Sequence, residues 1–245
     1  MIPHTIHYCW FGKKALPESA QQCIASWQKY LPDYEIVEWN EDNFDVNMVP
    51  YTREAYEMKK YAFVSDYARF WILYNYGGIY FDVDVEVIKP LQPLIDKGAY
   101  MGWEIGVKLV GVNPGLGFAS EAHSLILRTL LDLYDKLSFK EEYAKPVRKT
   151  ITEYTMDVLI EKGMQVKNVV QKVEDFTIYP SDYFGPVDVV TKRLHKTSNT
   201  YSIHAYAASW NERTNSKRKR IIRNLLPEWL LVIIYKFKHE KIFAR

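Results

Sequence analysis

The chain has 245 residues, of which 48% are hydrophobic and 15% aromatic, enough for the core of one substantial domain. Its net charge of +2 conceals an asymmetry, because residues 213–245 carry ten Lys or Arg and two Glu whereas residues 1–212 are net acidic. The sequence has no run of about 18 apolar residues, so it predicts no membrane-spanning helix. Cys9 and Cys23 form no motif typical of a disulfide framework. We expect a cytoplasmic protein without a signal peptide.

The first half of the chain alternates between strand-like and helix-like hydrophobic spacing. Period-two segments predict strands over residues 4–12 and 34–39. Spacings of three and four predict helices over residues 17–31 and 54–76. The glycine pair at 77–78 ends the second helix, and a third strand follows at once.

The second half continues the alternation. Predicted strands cover AYMGWEI and YSIHAY, helices cover residues 121–137 and 147–161, and NPGLGFA between them is a glycine-rich loop. Strands separated by helices indicate an α/β sheet, in which ligands bind at the carboxyl ends of strands. The composition changes after Trp210, so we place a domain boundary near residue 212.

Residues 77–88, GGIYFDVDVEVI, place two carboxylates in an apolar strand-like run. Residues i and i+2 of a strand share a face, so Asp82 and Asp84 would project together while Val83 packs behind them. Two anions at that spacing repel unless a cation lies between them, and Mg²⁺ or Mn²⁺ prefers such oxygen ligands. An isolated DxD is more often a solvated strand end, because short motifs match by chance.

A longer stretch, AFVSDYARFWILYNYGGIYFDVDVEVIKPL over residues 62–91, joins SDxxR, a glycine pair, an aromatic residue and DxD in one register. It resembles the signature of DXD glycosyltransferases, especially bacterial capsular polysaccharide transferases and yeast Och-type mannosyltransferases. A more distant resemblance is to the glucosyltransferase domains of large clostridial toxins. IPHTIHYCWFG and IHAYAASW resemble that family's first and last motifs, so the resemblance spans most of residues 1–212.

The resemblance implies a GT-A fold, a Rossmann-like mixed sheet flanked by helices, over residues 1–212. It also implies a nucleotide-sugar donor, with UDP favoured and GDP possible, a divalent metal and retention of anomeric configuration. Transfer needs the departing diphosphate neutralised, which a metal can supply. We therefore expect a hexose or N-acetylhexosamine to move to a glycan, in capsular or other surface polysaccharide synthesis.

By position in the family's motifs, three residues are implied as metal ligands: Asp82, Asp84 and His204. Asp66 is implied to bond donor hydroxyls, and Arg69 to reach the sugar and phosphate, a role that suits a planar cation. Asp82, Asp84 and Arg69 form the implied catalytic set. The alternatives are a surface ion pair between Asp66 and Arg69, three apart on one helix face, and a purely structural His204.

The resemblance also implies further donor contacts. Trp10 would stack on the nucleobase, Tyr80 would contact the nucleoside, and Ser209 and Trp210 would hold the leaving diphosphate. Independently of the resemblance, Asn113 lies in the glycine-rich loop, and we expect this loop to shape the acceptor side or the donor sugar pocket. Trp10 and Tyr80 have ordinary core packing as an alternative. No residue stands out as a catalytic base, which fits retaining transfer in which the leaving phosphate oxygen takes the acceptor proton.

Residues 213–245 combine clustered cations with Ile, Leu, Trp and Tyr, and their apolar stretch of about a dozen residues is too short to span a bilayer. An amphipathic helix pair kinked at Pro227 and lying on anionic lipid fits this pattern. The chain would then associate peripherally with the cytoplasmic face of the membrane, where a polyprenyl-diphosphate-linked acceptor is confined. The alternative is a helix packed on the acidic body; nucleic-acid binding would leave the apolar residues without a role.

Two other functions are compatible with parts of the sequence. FDVDVEV resembles the strand and DxDx of haloacid-dehalogenase-like phosphatases, with Asp82 as nucleophile and Asp84 as acid. That family usually has the motif near its start with Thr after the second Asp, whereas Val85 follows here. A non-catalytic glycan-binding or lipid-binding module at the membrane is the third possibility.

Overall fold

The computed structural model of the chain describes residues 1–105, 111–188, 191, 193–206, 226–227, 230–231 and 233–234. The strands in this part are β1 Thr5–Cys9, β2 Glu35–Trp39, β3 Gly78–Tyr80, β4 Val85–Val87, β5 Tyr100–Glu104, β6 Gly111–Val112, β7 Phe118–Ser120, β8 Gln171–Val173, β9 Phe176–Tyr179 and β10 Ser202–His204. The helices are α1 Glu18–Tyr30, α2 Pro50–Glu57, α3 Tyr61–Tyr76, α4 Gln92–Ile95, α5 Leu125–Tyr134, α6 Phe139–Ala144, α7 Ile151–Glu161 and α8 Ser181–Phe184, with a 3₁₀ turn at Pro114–Leu116.

A mixed sheet forms the centre of the molecule. Its strands run in the order β2-β1-β3-β7-β5-β9-β8, and β6 pairs with β5 at the side of this path. β1 is parallel to both β2 and β3, whereas β7 is antiparallel to β3 and β5. The predicted α/β class with a mixed sheet is confirmed.

Helices cover both faces of the sheet, and two hydrophobic cores result. Successive residues of β3 point to opposite faces, so Ile79 packs in the core with Trp27 of α1 while Tyr80 packs in the core with Phe70 of α3. Ile79 and Phe70 are fully buried, and burial of such a side chain stabilises the fold by about 1.5–3 kcal/mol. Because β3 is buried on both faces, the loop that follows it starts from a fixed position.

The predicted single helix over residues 54–76 is wrong, because the chain forms α2 and α3 with a break between them. Lys59 has a φ of 57°, in the left-handed region that ends helices. The Lys59 amide donates to the Tyr56 carbonyl and the Lys60 amide to the Ala55 carbonyl, each at 2.8 Å, the pairing of a Schellman motif. No glycine marks this C-terminus, so hydrophobic spacing carried the prediction across it.

The predicted strand through Asp82 and Asp84 is also wrong. β3 ends at Tyr80, and a turn follows in which the Val85 amide donates to the Asp82 carbonyl at 3.0 Å. Strand geometry resumes only in β4, which pairs with β10 in a separate two-stranded sheet. The DxD therefore lies in the turn that leaves the carboxyl end of β3, where ligands of α/β sheets bind.

Several boundaries differ in the second half of the chain. The predicted helices over residues 121–137 and 147–161 are shorter, as α5 and α7, and α7 begins with a capping box between Thr150 and Glu153. The glycine-rich loop contains β7, and the predicted last core strand becomes β10 of the small sheet. Sequence patterns did not predict α6, β8, β9 or α8. Within the part described, the structure has no helix of the length and apolarity that crossing a bilayer requires.

Candidate active site

Helix α3 supplies a buried cation that two carboxylates share. Arg69 is only 4% exposed, and its Nε donates to the Ser65 carbonyl at 3.1 Å. Its Nη2 lies 3.2 Å from Asp66 Oδ1 and 3.1 Å from Asp82 Oδ1. Because Arg69 belongs to α3 and contacts Asp82, its guanidinium holds the DxD turn against this helix. The alternative of a surface ion pair between Asp66 and Arg69 is wrong, since both side chains are largely buried.

Asp66 and Asp82 share the Arg69 cation, and the pKa of Asp66 is raised in this setting. Burial raises the pKa of Asp66 to about 7, with the Asp82 carboxylate adding to the rise and Arg69 opposing it. The pKa of Arg69 is raised, because Asp82 and Asp66 outweigh the effect of its burial. Arg69 therefore stays charged at every accessible pH, whereas Asp66 is a carboxyl that can hold a proton near neutrality.

Tyr80 supports the same arrangement from the sheet. Its hydroxyl donates to Asp82 Oδ1 at 3.1 Å, and the Arg69 guanidinium carbon lies 5.1 Å from the centre of its ring. The ring is 1% exposed. Tyr80 thus orients Asp82 and packs against Arg69. The predicted contact between Tyr80 and a nucleoside stays a prediction.

The DxD turn and β10 bring together three groups that can hold a metal ion. One ligand atom from each of Asp82, Asp84 and His204 lies within 4.8 Å of the others. His204 Nε2 is 3.1 Å from Asp84 Oδ1 and 3.9 Å from Asp82 Oδ2. Two carboxylates and an imidazole are ligands that Mn²⁺ accepts, and Mg²⁺ accepts the carboxylates. The residues fit a divalent cation, as the sequence predicted for these three positions.

The same cluster holds a proton on His204 when only protein groups are present. Burial alone would lower the pKa of His204, but the Asp84 and Asp82 carboxylates outweigh it and raise the pKa to about 10. His204 Nδ1 is buried and has no hydrogen-bond partner among the residues described. A cation between the carboxylates would take over the compensating charge and use the imidazole as a neutral ligand.

Asn113 belongs to a layer of residues behind the DxD turn. Its Oδ1 accepts from the Gly115 amide at 2.7 Å, and its Nδ2 donates to Glu104 Oε2 at 2.7 Å. A Cβ on Gly115 would lie 2.4 Å from Asp82 Oδ2, so this position admits only glycine without a shift. The structure therefore connects Asn113 to the carboxylate cluster through Gly115.

Sequence reasoning missed three residues of this layer: Glu104, Gly115 and Tyr206. Tyr206 donates to Glu104 Oε2 at 3.2 Å, and its ring lies edge-on to His204 with centroids 4.2 Å apart. The available signal was a charged residue closing the apolar strand YMGWE, because a buried carboxylate is costly unless it is hydrogen-bonded. Gly115 stood in a loop already singled out for its glycines.

Trp10 lines a cleft at the carboxyl ends of β1 and β2. The cleft has a volume of about 370 Å³ and is lined by Trp10, Lys13, Lys14, Ala15, Glu38, Asn40, Glu41 and Asp42. The indole nitrogen of Trp10 donates to the Lys14 carbonyl at 2.5 Å, and this hydrogen bond holds the ring at the edge of the cleft. Because β1 is parallel to both β2 and β3, the cleft opens at the same edge of the sheet as the DxD turn.

The remaining predictions fall largely outside the described residues. Ser209 and Trp210 lie there, as does the proposed boundary near residue 212. Of the basic segment 213–245 the structure describes only residues 226–227, 230–231 and 233–234. The roles given to the diphosphate-holding pair and to the tail stay predictions.

Comparison with known proteins gives one family. Residues 17–100 match the model described as a glycosyltransferase sugar-binding region containing a DXD motif. An uncharacterised glycosyltransferase, L373, of Acanthamoeba polyphaga mimivirus is 32% identical over 224 residues, covering 86% of this chain and 84% of that protein.

Inositol phosphoceramide mannosyltransferase 3 of Schizosaccharomyces pombe is 32% identical over 137 residues, which are 54% of this chain but only 37% of that protein. The chain therefore spans little more than a third of this relative. Among solved structures, the PaToxG glycosyltransferase superposes with a TM-score of 0.52 at 21% identity, covering 66% of this chain and 70% of that one. This structural likeness confirms the GT-A type of fold.

Proposed function

Because this chain belongs to the family of glycosyltransferases whose sugar-binding region contains a DXD motif, we propose that it transfers a hexose or N-acetylhexosamine from a nucleotide sugar to a glycan acceptor. A UDP-sugar is our favoured donor and a GDP-sugar the second choice. Because some relatives are named as mannosyltransferases, we include mannose among the donor sugars to be tested. We propose retention of configuration, as the family resemblance implies.

One observation carries this proposal: the cluster of Asp82, Asp84 and His204 lies beside a buried Arg69 at the carboxyl end of β3. Arg69 restrains Asp82, so the cluster is held in place by α3. The cleft next to Trp10 opens at the same edge of the sheet and is of the size that small ligands occupy. A nucleoside in that cleft would direct its diphosphate towards the cluster.

The bound cation, Mn²⁺ or Mg²⁺, would supply electrostatic stabilisation of the departing diphosphate. The residues of the chain have separate tasks. Asp82, Asp84 and His204 would hold the cation; Arg69 would add a fixed positive charge near the sugar and phosphate, and Asp66 would accept hydrogen bonds from donor hydroxyls. In the transfer, the bond from the anomeric carbon to phosphate oxygen breaks, a bond to the acceptor oxygen forms, and the acceptor proton passes to the departing phosphate.

The test is incubation of the purified chain with Mn²⁺ and a panel of UDP- and GDP-sugars, following nucleotide release. Asp84→Asn should reduce release by at least about 100-fold, since it removes charge stabilisation at the reacting centre. Glu86→Gln is the matched control, because Glu86 faces solvent from β4 and should leave the rate unchanged. Equal rates for the wild type and Asp84→Asn would contradict the proposal.

The two alternative functions have their own outcomes in the same assay. The phosphatase interpretation is displaced by the family assignment and by the geometry, because Asp82 is bound by Arg69 and Tyr80 instead of projecting freely as a nucleophile. Activity towards p-nitrophenyl phosphate should accordingly be absent. A non-catalytic module would bind a donor in calorimetry with Mn²⁺ present but never release the nucleotide.

We further propose that residues 213–245 dock the chain on the cytoplasmic face of a membrane, where a lipid-linked acceptor such as a glycan on polyprenyl diphosphate is confined. The relatives that are named for a ceramide lipid acceptor are compatible with this. Packing on the body stays the alternative, and Arg193 Nη2 does donate to the Leu226 carbonyl at 2.6 Å. Deletion of residues 213–245 should abolish flotation with anionic liposomes; undiminished flotation would overturn the membrane assignment.

A further inference from the structure

Glu104 is a buried carboxylate to which the transfer chemistry assigns no task. It is the last residue of β5 and only 5% exposed. Its Oε2 accepts from Asn113 Nδ2 at 2.7 Å and from the Tyr206 hydroxyl at 3.2 Å, and Oε1 lies 3.4 Å from the Thr152 hydroxyl. A carboxylate in such a position is costly unless donors surround it. Here the donors come from three separate segments, which lie 9, 48 and 102 residues from Glu104 along the chain.

The first of these contacts reaches the DxD turn. The side-chain nitrogen of Asn113 donates to Glu104, and its side-chain oxygen accepts from the Gly115 backbone amide. The backbone of Gly115 approaches Asp82 so closely that an added Cβ would meet Asp82 Oδ2 at 2.4 Å. The position of the loop thus limits where the Asp82 carboxylate can lie.

The second contact, with Tyr206, reaches the imidazole of the cluster. The Tyr206 ring packs edge-on against His204 at a centroid distance of 4.2 Å. Tyr206 has a φ of 48°, a conformation that a bulky residue keeps only when its surroundings impose it. The Tyr206 side chain is therefore held between His204 and Glu104.

We propose that Glu104 is a positioning residue that holds both sides of the metal site, setting Asp82 through Asn113 and Gly115 and setting His204 through Tyr206. This role rests on the proposed function of the cluster as a metal site. Outer partners of metal ligands fix ligand orientation, and their loss typically weakens metal binding by about 10–100-fold. Glu104 would act in this way on two ligands at once.

The experiment measures Mn²⁺ affinity of the full chain without donor, by calorimetry and by electron paramagnetic resonance. Glu104→Ala should weaken Mn²⁺ binding by about 10–100-fold, whereas Glu104→Gln keeps an acceptor oxygen for Asn113 and Tyr206 and should restore most of the affinity. Tyr206→Phe, which keeps the ring on His204 but removes the hydroxyl, should give an intermediate loss and serves if Glu104→Ala does not fold. Glu35→Ala, an exposed glutamate of β2, is the control that should change nothing.

The outcomes separate this inference from the proposed function. If the wild type binds Mn²⁺ and Asp84→Asn does not, while Glu104→Ala and Tyr206→Phe bind like the wild type, the positioning role is overturned and the metal site stands. If wild type and Asp84→Asn fail equally to bind Mn²⁺, both ideas fall. A thermal shift in Glu104→Ala with unchanged Mn²⁺ affinity would mark Glu104 as structural only and likewise overturn the inference.

Discussion

The two sides of the candidate site are built in different ways. The motif side, Asp66, Arg69, Tyr80, Asp82 and Asp84, comes from one helix, one strand and one turn that follow each other in sequence. The assembled side, Glu104, Asn113, Gly115, His204 and Tyr206, comes from three separate segments that hydrogen bonds and packing bring together. Local sequence therefore fixes the first side, whereas the second depends on long-range contacts and should respond to substitutions remote from the cluster.

The largest effect should come from the centre of the motif side. Arg69→Ala leaves the largely buried Asp66 and the partly exposed Asp82 without their cation, and loss of one partner of a buried pair destabilises a protein by about 3–5 kcal/mol. Urea unfolding measures this loss, and nucleotide release should fall below detection. Arg128→Ala is the control: its ion pairs with Asp132 and Asp135 are on the surface, so it should cost no more than about 1 kcal/mol. Similar costs for the two variants would contradict the shared-cation role.

Next in size is the contribution of the assembled side to the metal. His204→Ala removes a proposed ligand, and because even an outer partner is worth about 10–100-fold, Mn²⁺ affinity should fall by at least tenfold. Folding stability should change less than in Arg69→Ala, since Asp82 keeps Arg69 and Tyr80 as partners. His4→Ala, an exposed histidine near β1, is the control for loss of an imidazole. Unchanged affinity in His204→Ala would show that the cation is held by the motif side alone.

Gly115→Ala tests the contact between the two sides. The new methyl group would push against Asp82 Oδ2, costing about 1–3 kcal/mol and displacing a metal ligand. Gly163→Ala is a matched control, because Gly163 has open space around it but a φ of 91° that alanine adopts at a cost of about 1–2 kcal/mol. Both variants should lose stability, and only Gly115→Ala should lose Mn²⁺ affinity. Equal affinities would indicate that the loop can move away from the cluster.

The smallest change, counted per pH unit, concerns the pH dependence of the motif side. The pKa of Asp66 is raised by burial from 3.8 when unfolded to about 7 when folded, so between these pH values the folded state binds more protons. Asp66 therefore makes stability fall as pH rises through this window, by up to about 1.4 kcal/mol per pH unit. Asp66→Asn should flatten that slope in urea unfolding from pH 4 to pH 7. An unchanged slope would mean that Asp66 is ionised throughout.

How far the sequence predicts this molecule depends on the side considered. The register of SDxxR and DxD placed Asp66, Arg69 and both aspartates at one strand end, and the structure brings them there. The strand assumed for Asp82 and Asp84 is wrong because the Val85 amide closes a turn, yet the two carboxylates still face the same neighbour. The grouping of these side chains was predictable from the motif register even where the backbone was not.

The assembled side was less accessible. His204 entered only through its place in a motif, and Glu104 and Tyr206 did not enter at all, because hydrogen bonds across about a hundred residues leave no periodic signal. The break at Lys59 was missed for a similar reason: its helix end uses a lysine where glycine is usual. Hydrophobic spacing reports which face is buried, and it carries no information on which polar groups meet inside.

The sharing of Arg69 between two carboxylates bears on the order in which ligands arrive. Its charge is already engaged by Asp66 and Asp82, so a diphosphate approaching the DxD turn without a cation would find only the proton on His204 to offset its repulsion by Asp82 and Asp84. We expect donor affinity to depend steeply on Mn²⁺ concentration, and by reciprocity the donor should tighten Mn²⁺ binding by the same factor. The cation would then bind before the sugar nucleotide or together with it, so donor binding would require the cation.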